Sequence, residues 1–147
     1  MKIIIAGCGK VGQELAEQLS KEGNEITIID TRAKIVNELA NRYDIMGIVG
    51  NGASHLTQAE AGIEKADLFI AVTGSDELNL LCCLLAKKAI EKAGIQKKVI
   101  AVSRFSDPIA TKLLTDNGVD IIAADLQNRE QFDALPLCEN VIFMAGK

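Results

Sequence analysis

The fold of the chain is decided by residues 1–12, which read MKIIIAGCGKVG. An apolar run at 3–6 precedes a glycine-rich turn, and a helical pattern follows from residue 13. This order predicts a strand, a tight turn and a helix. Gly7, Gly9 and Gly12 fit the G-x-G-x-x-G pattern, in which they allow the turn, the approach of a pyrophosphate and close helix–strand packing. We expect phosphates to bind the free N–H groups at the start of this helix.

An acidic residue at the end of the next predicted strand strengthens this interpretation. The apolar run at 25–29 ends in Asp30, close to the spacing of about 20 residues at which an acid binds a ribose. The pattern predicts a bound adenine nucleotide or dinucleotide with an unphosphorylated ribose. The alternative is that the glycines only make a tight turn and that Asp30 caps a helix. Arg32 either softens the preference against a 2′-phosphate or is a solvated helix charge.

Length and composition indicate one globular domain. The 147 residues are 48% hydrophobic and 24% charged, and the net charge of −4 argues against a broad cationic surface for nucleic acid or anionic lipid. The apolar run before Gly7 is too short for a signal peptide, and no run reaches the roughly 18 apolar residues of a membrane span. The four cysteines are scattered, so we expect reduced thiols without a disulfide framework or a metal site. We expect a cytoplasmic protein.

Strands and helices alternate along the rest of the chain. This alternation predicts an α/β fold with a doubly wound, parallel, six-stranded, Rossmann-like sheet. The predicted strands are 3–6, 25–29, 46–49, 67–72, 97–102 and 119–123. One predicted helix begins at residue 13, and the others span 31–43, 55–61, 77–93 and 107–117. Two domain regions follow: a dinucleotide-binding domain at 1–125 and a short tail at 126–147.

The tail has a different pattern from the domain. Residues 125–135 are polar with a helical pattern, Pro136 interrupts them, and 138–144 resemble a short strand with no evident place in the sheet. We expect the chain to be a fragment or a minimal member of a longer family.

Several segments resemble the N-terminal domain of TrkA-type proteins, the RCK or KTN domains that regulate potassium transporters and channels. They are GCGKVGQELAEQL, the acid Asp30, VGNGAS, AGIEKADLFIAVTGSDELNLLCCLLAKK and VIAVSRFSDP. The resemblance covers about residues 1–125. It implies a cytoplasmic regulatory module that binds NAD(H), or alternatively ADP or ATP, and assembles as a homo-oligomer, a dimer or a ring of dimers. It also implies a membrane potassium transporter as partner, at the inner face of the membrane, without direct nucleic-acid binding or membrane insertion.

The resemblance also implies roles for individual residues. The pyrophosphate site comprises Gly7, Cys8, Gly9, Lys10 and Val11. The other positions are Asp30 for the adenosine ribose, Asn51 and Gly52 at the adenine side, Thr73 and Gly74 across the cleft, and Arg104 for the ligand phosphates. At position 51 many relatives have an acid instead of asparagine. The family's C-terminal RCK domain is not expected in this sequence, and the resemblance implies that the tail at 126–147 is the truncated link to it.

Several of these residues also allow interpretations that involve no contact with a ligand. Thr73 is a helix-capping type, Arg104 could pair with Asp107, and Lys10 could be a solvent-exposed lysine. Cys8 is either a reactive thiol beside a helix N-terminus or a small residue that fills the turn. Two further functions remain open, an NAD-dependent oxidoreductase of a small substrate and a nucleotide-bound assembly scaffold. The sequence offers no catalytic arrangement for the former.

Overall fold

The computed structural model describes residues 1–96, 100–103, 107–123 and 141–144. Some predictions therefore lie outside the described residues. They are the start of the predicted fifth strand at 97–99, Arg104, the helix at 125–135 with Pro136, and the first part of the last strand at 138–140.

The described residues form alternating strands and helices, as predicted. The strands are β1 (Lys2–Ala6), β2 (Glu25–Asp30), β3 (Met46–Val49), β4 (Leu68–Ala71), β5 (Ile100–Ser103), β6 (Asp120–Ala123) and β7 (Val141–Met144). The helices are α1 (Lys10–Lys21), α2 (Ala33–Tyr43), α3 (His55–Glu60), α4 (Asp76–Lys92) and α5 (Pro108–Asp116), with a 3₁₀ turn at Ile63–Lys65.

The strands form one sheet in the order β3-β2-β1-β4-β7-β5-β6, and every neighbouring pair is parallel. The predicted α/β class and parallel, doubly wound sheet are confirmed, but the predicted count of six strands is one too low. The short strand of the tail enters the sheet as β7, between β4 and β5, where Phe143 pairs with Ile70 on one side and Val102 on the other. An apolar strand is compatible with any buried position in a parallel sheet, so its sequence does not specify its neighbours.

Helices cover both faces of the sheet, and β1 shows why its sequence is continuously apolar. Ile3 and Ile5 pack in a cluster with Val36 of α2, whereas Ile4 and Ala6 pack in a second cluster that contains residues of α4. Successive side chains of a strand point to opposite faces. Both faces of β1 are therefore buried, as is typical of a central parallel strand.

The first helix begins at Lys10, three residues before the predicted start at residue 13, with Gly9 as its N-cap. Gly12 consequently lies inside the first turn of α1 and not before the helix. A Cβ atom on Gly12 would lie 1.9 Å from the carbonyl oxygen of Gly7. The helix can follow β1 this closely because residue 12 has no side chain.

Candidate functional site

A cleft of about 600 Å³ lies at the carboxyl ends of the central strands. β1 is flanked there by β2 and β4, so the chain crosses from one half of the sheet to the other at this point. Such a switch point is where ligands bind in open α/β sheets. The cleft is lined by Gly7, Gly9, Lys10, Val11, Ile29, Asp30, Thr31, Arg32, Gly50, Asn51, Gly52, Val72, Thr73, Gly74, Asp76 and Leu78. The lining thus includes every predicted binding residue except Cys8 and Arg104, which lies outside the described residues.

One wall of the cleft is the glycine turn and the start of α1. Gly7 has a φ of +104°, and a Cβ atom there would lie 2.7 Å from the carbonyl oxygen of Val72. At Gly9 a Cβ atom would have no neighbour within 4 Å, so the backbone faces open space. Gly9 has no side chain to cap the helix, and the first turn contains no acidic residue. The N–H groups at the start of α1 are therefore available to an anion.

Cys8 lies behind this wall and does not line the cleft. Its side chain is fully buried, with Sγ 3.9 Å from the carbonyl oxygen of Ile29. Burial, with a further contribution from the Asp30 charge, raises the pKa of the thiol from 9.0 to about 12. This protonated, inaccessible thiol fits the interpretation of a small residue that fills the turn and not that of a reactive thiolate. The Cys8 backbone N–H, in contrast, donates to Asp30 Oδ2 at 2.7 Å.

Asp30 ends β2 beside the glycine turn, and its carboxylate is held by several donors. Arg32 donates from Nε to Oδ1 and from its terminal Nη2 to Oδ2, both at 2.8 Å. The backbone N–H of Arg32 also donates to Oδ1, at 2.9 Å. The Arg32 guanidinium holds the pKa of the Asp30 carboxyl well below its usual range, although burial opposes this effect. Arg32 is thus an ion-pair partner of Asp30 and not an isolated solvated charge.

The loop after β3 forms the floor on the far side of Asp30. The Gly50 N–H donates to the Asp30 carbonyl at 3.0 Å, and Asn51 Oδ1 accepts the N–H of Ala53 at 2.9 Å. Beneath this loop Gln58 is fully buried. Its Nε2 donates to the carbonyl of Gly52 at 2.7 Å and to that of Cys82 at 2.9 Å. Gln58 is not predictable from the sequence, since a glutamine on a short helix carries no signal for burial.

The opposite wall is built from side-chain hydrogen bonds before α4. Asn79 Oδ1 accepts the backbone N–H of Thr73 at 2.8 Å and its hydroxyl at 2.7 Å. The Ser75 hydroxyl oxygen accepts the N–H of Leu78 at 3.2 Å, which caps α4. Ser75 is thus the cap of α4, whereas Thr73, whose residue type also allows a capping role, donates to Asn79 and lines the cleft with Gly74. Asn79 is likewise not predictable, because a polar residue in the first turns of a helix is usually exposed.

The described histidine and tyrosine lie outside the cleft. His55 is the exposed first residue of α3. The Tyr43 hydroxyl donates to Glu17 Oε2 at 2.9 Å, and neither residue is part of the lining. Asp107, an alternative partner for Arg104, caps α5 by accepting the N–H of Ile109 at 2.9 Å. The lining thus contains the N–H groups at the start of α1, neutral polar groups and four charged side chains, which are the paired Asp30 and Arg32, Lys10 and Asp76.

Comparison with known proteins identifies the family of the chain. The family model of the TrkA-N domain matches residues 3–125. The chain belongs to the TrkA-N family. The TrkA-N chain is 48% identical over 86 residues to the Trk system potassium uptake protein TrkA of Halomonas elongata. The aligned segment covers 58% of this chain and 19% of the relative. It is 35% identical over 121 residues to a TrkA homolog of Methanothermobacter thermautotrophicus, over 82% of this chain and 52% of the relative. The TrkA-N chain therefore spans about half or less of these curated relatives.

Solved structures share the fold at lower sequence identity. The TrkA-N domain of the inner membrane protein ybaL from Escherichia coli superposes with a TM-score of 0.67 at 20% identity, over 92% of this chain and 96% of that one. The GsuK channel bound to NAD superposes with a TM-score of 0.60 at 20% identity, over 82% of this chain and 21% of the channel. Among the described residues of the TrkA-N chain, no helix has both the length and the apolar character needed to cross a bilayer.

Proposed function

We propose that the chain is the nucleotide-sensing domain of a regulator of a Trk- or Ktr-type potassium transport system, with NAD(H), or alternatively ADP or ATP, bound in the cleft. One observation carries the proposal: the uncapped start of α1 and the carboxylate of Asp30 line the same cleft. A diphosphate fits the first group and a ribose diol fits the second. Both belong to every one of the proposed ligands.

The proposed contacts follow from the positions of the lining residues. The N–H groups of Lys10 and Val11 bind the pyrophosphate, and Lys10 adds positive charge at the rim. Asn51 and Gly52 border the adenine, and Thr73 with Gly74 closes the far side. Arg104 is retained as a phosphate ligand because it follows β5 directly. Asp30 selects an unphosphorylated ribose, since its negative charge repels a 2′-phosphate.

The regulatory part of the proposal rests on the relatives. The curated relatives are named as Trk potassium uptake proteins, and the GsuK neighbour is a channel with bound NAD. We infer that copies of this chain assemble as dimers or rings of dimers beneath a membrane transporter, at the cytoplasmic face. A nucleotide regulates such an assembly when it binds two shapes of the assembly with different affinities.

Calorimetric titration and thermal unfolding with NADH, NAD, ATP, ADP and NADPH test the ligand. A ligand at about a hundred times its Kd should add about 2.7 kcal/mol to the unfolding free energy. The Gly9→Ala substitution places a methyl group in the open space of the turn and should weaken binding about tenfold. Gln18→Ala, a change on the same helix away from the cleft, is the matched control and should bind normally. Absence of binding by all five nucleotides would contradict the proposal.

Small-angle scattering of the assembled protein tests regulation. Two nucleotides that compete for the cleft should give different scattering profiles, whereas identical profiles would contradict sensing. Two further results would replace the proposal. Oxidation of NADH with a carbonyl substrate would indicate an oxidoreductase, and a nucleotide that cannot be removed without unfolding the chain would indicate an assembly scaffold.

A further inference from the structure

The carboxylate of Asp30 already has a full set of hydrogen bonds. Each of its two oxygens accepts two: Oδ1 from the N–H and the Nε of Arg32, Oδ2 from the Cys8 N–H and the Arg32 Nη2. All four distances lie between 2.7 and 2.9 Å. A carboxylate offers about four lone-pair sites. A ribose diol can therefore bind Asp30 only after one of the present donors leaves.

The four donors differ in how easily they leave. The N–H groups of Cys8 and Arg32 belong to the backbone that follows β1 and β2, so they stay and fix the carboxylate. The guanidinium belongs to the side chain of Arg32, which is 53% exposed, whereas the side chain of Asp30 is 8% exposed. Arg32 precedes the first residue of α2 as its N-cap, so its side chain can swing into solvent without disturbing the helix. The guanidinium is the donor that a ribose displaces.

The same side chain is placed to meet a phosphate on that ribose. Arg32 lines the cleft together with Asp30, and its planar group forms paired hydrogen bonds with phosphate oxygens as readily as with a carboxylate. A 2′-phosphate would stand where the diol oxygen meets Asp30 and would keep the guanidinium at the site. An unphosphorylated ribose would thus displace Arg32 from Asp30, whereas a 2′-phosphorylated ribose would bind Arg32.

From these observations, and resting on the proposed function, we propose that Arg32 sets the ribose specificity of the cleft. It competes with an unphosphorylated ribose for Asp30 and attracts a 2′-phosphate. The chain therefore discriminates between NADH and NADPH less strongly than Asp30 alone would.

Calorimetric titration of the whole chain with NADH and NADPH tests this proposal, because the two ligands differ only in the 2′-phosphate. Arg32→Ala should tighten NADH about threefold, because the competitor is gone, and weaken NADPH about tenfold. The matched control is Lys34→Ala, which removes an equal charge nearby in α2, at a side chain that is 87% exposed. It should leave the ratio of the two affinities within about twofold.

A second variant separates the fork geometry from the charge. Arg32→Lys keeps the charge but cannot hold both oxygens of Asp30 in a planar fork. It should tighten NADH while NADPH binding changes by less than about threefold. This variant also carries the test if Arg32→Ala fails to fold, which thermal unfolding of each protein reveals.

The failures are distinguishable. If the unmodified chain binds NADH but Arg32→Ala shifts both ligands by the same factor, or Lys34→Ala shifts the ratio as much, the specificity role is wrong and the nucleotide site stands. If Arg32→Lys matches the unmodified chain for both ligands, the competition for Asp30 is wrong. If the unmodified chain binds neither ligand, the proposed function fails, and this inference falls with it.

Discussion

Two helices begin at the same edge of the sheet, and their N-termini are chemically opposite. α1 starts after Gly9, without a side-chain cap and without an acidic residue in its first turn. α4 starts after Ser75, whose hydroxyl accepts a helix N–H, and has Asp76 and Glu77 in its first turn. Both helix ends carry partial positive charge. At α4 the residues of the chain itself satisfy and neutralise that charge, whereas at α1 it is left for a ligand.

The difference shows that topology alone does not decide which helix N-terminus stays open to an anion. Parallel α/β sheets bring several helix N-termini to one edge, and local sequence decides which of them stays open. The wall at α1 is formed by backbone that approaches other backbone closely, so it excludes side chains at Gly7 and Gly12. The wall at α4 is formed by side chains that hydrogen-bond to each other and to the backbone. A side chain added at Gly7 or Gly12 should therefore disrupt the whole wall at α1. Removal of one hydrogen bond should weaken the wall at α4 only in part.

The largest effect is expected at Gly12. In Gly12→Ala the new methyl carbon would lie 1.9 Å from the Gly7 carbonyl oxygen, so β1 and α1 must separate, at a cost of about 3 kcal/mol or more. Gly9→Ala meets nothing within 4 Å and should cost about 1 kcal/mol or less. Urea unfolding of the two variants measures the difference. Equal stabilities would show that the wall at α1 tolerates a side chain at residue 12 as well as at residue 9. The contrast with the wall at α4 would then be lost.

The next effect is expected at Asn79. Asn79→Ala removes the acceptor of the Thr73 N–H and one of the two acceptors of the Thr73 hydroxyl, from a side chain that is 1% exposed. The loss should be about 2 kcal/mol in the free energy of unfolding. Asn51→Ala, which removes one exposed acceptor, is the comparison and should cost less than about 1 kcal/mol. If Asn79→Ala costs no more than Asn51→Ala in urea unfolding, the hydrogen bonds do not support the second wall.

Much of this contrast could be predicted from the sequence because its signals are local. The glycine turn, Asp30 and the capping types before α4 each act within a few residues of their position. Their spacing therefore predicts the strands, the helices and a cleft that contains most of the binding candidates. The predicted start of α1 is too late, since Gly12 looks like part of a turn, although it lies within the helix.

The remaining features depend on residues that meet only in three dimensions. The position of β7 between β4 and β5 follows from long-range pairing, which an apolar strand does not specify. Gln58 and Asn79 are buried by neighbours distant in sequence, so their residue types alone suggest exposure. Arg32 could be seen to lie near Asp30, but its paired bonds to both carboxylate oxygens depend on a side-chain conformation.

A smaller and pH-dependent effect on the free energy of unfolding is expected for Asp30→Asn, which removes the negative charge beside the glycine turn and the start of α1. The folded pKa of Asp30 lies below its ordinary value of 3.8. The ionised carboxylate therefore stabilises the fold above that value, and this contribution is lost as the pH falls from about 4 toward the lower folded pKa. The variant should be less stable by about 1–2 kcal/mol at about pH 7.

Urea unfolding at several pH values checks this prediction. The gap between the variant and the unmodified chain should narrow below about pH 4, where the carboxyl of the unfolded chain becomes protonated. The remaining carboxylates of the protein are common to both chains and cancel in the comparison. A gap that stays constant with pH would show that the Arg32 pair contributes no charge-dependent stability.

The smallest effect is expected at the cap of α4. Ser75→Ala removes the hydroxyl that accepts the Leu78 N–H at 3.2 Å and should cost about 1 kcal/mol in urea unfolding. Ser54→Ala removes a longer cap bond of 3.5 Å at α3 and should cost about half as much.

Removal of the Ser75 cap does not turn α4 into a second α1, because Asp76 and Glu77 still place negative charge at its N-terminus. Nucleotide affinity, measured by calorimetry, should therefore change by less than about twofold in Ser75→Ala. A large gain in affinity would mean that the hydroxyl cap alone keeps phosphate away from α4. The contrast between the two helices would then depend on one hydrogen bond, whereas we expect the two acidic residues to keep the ligand phosphates at α1.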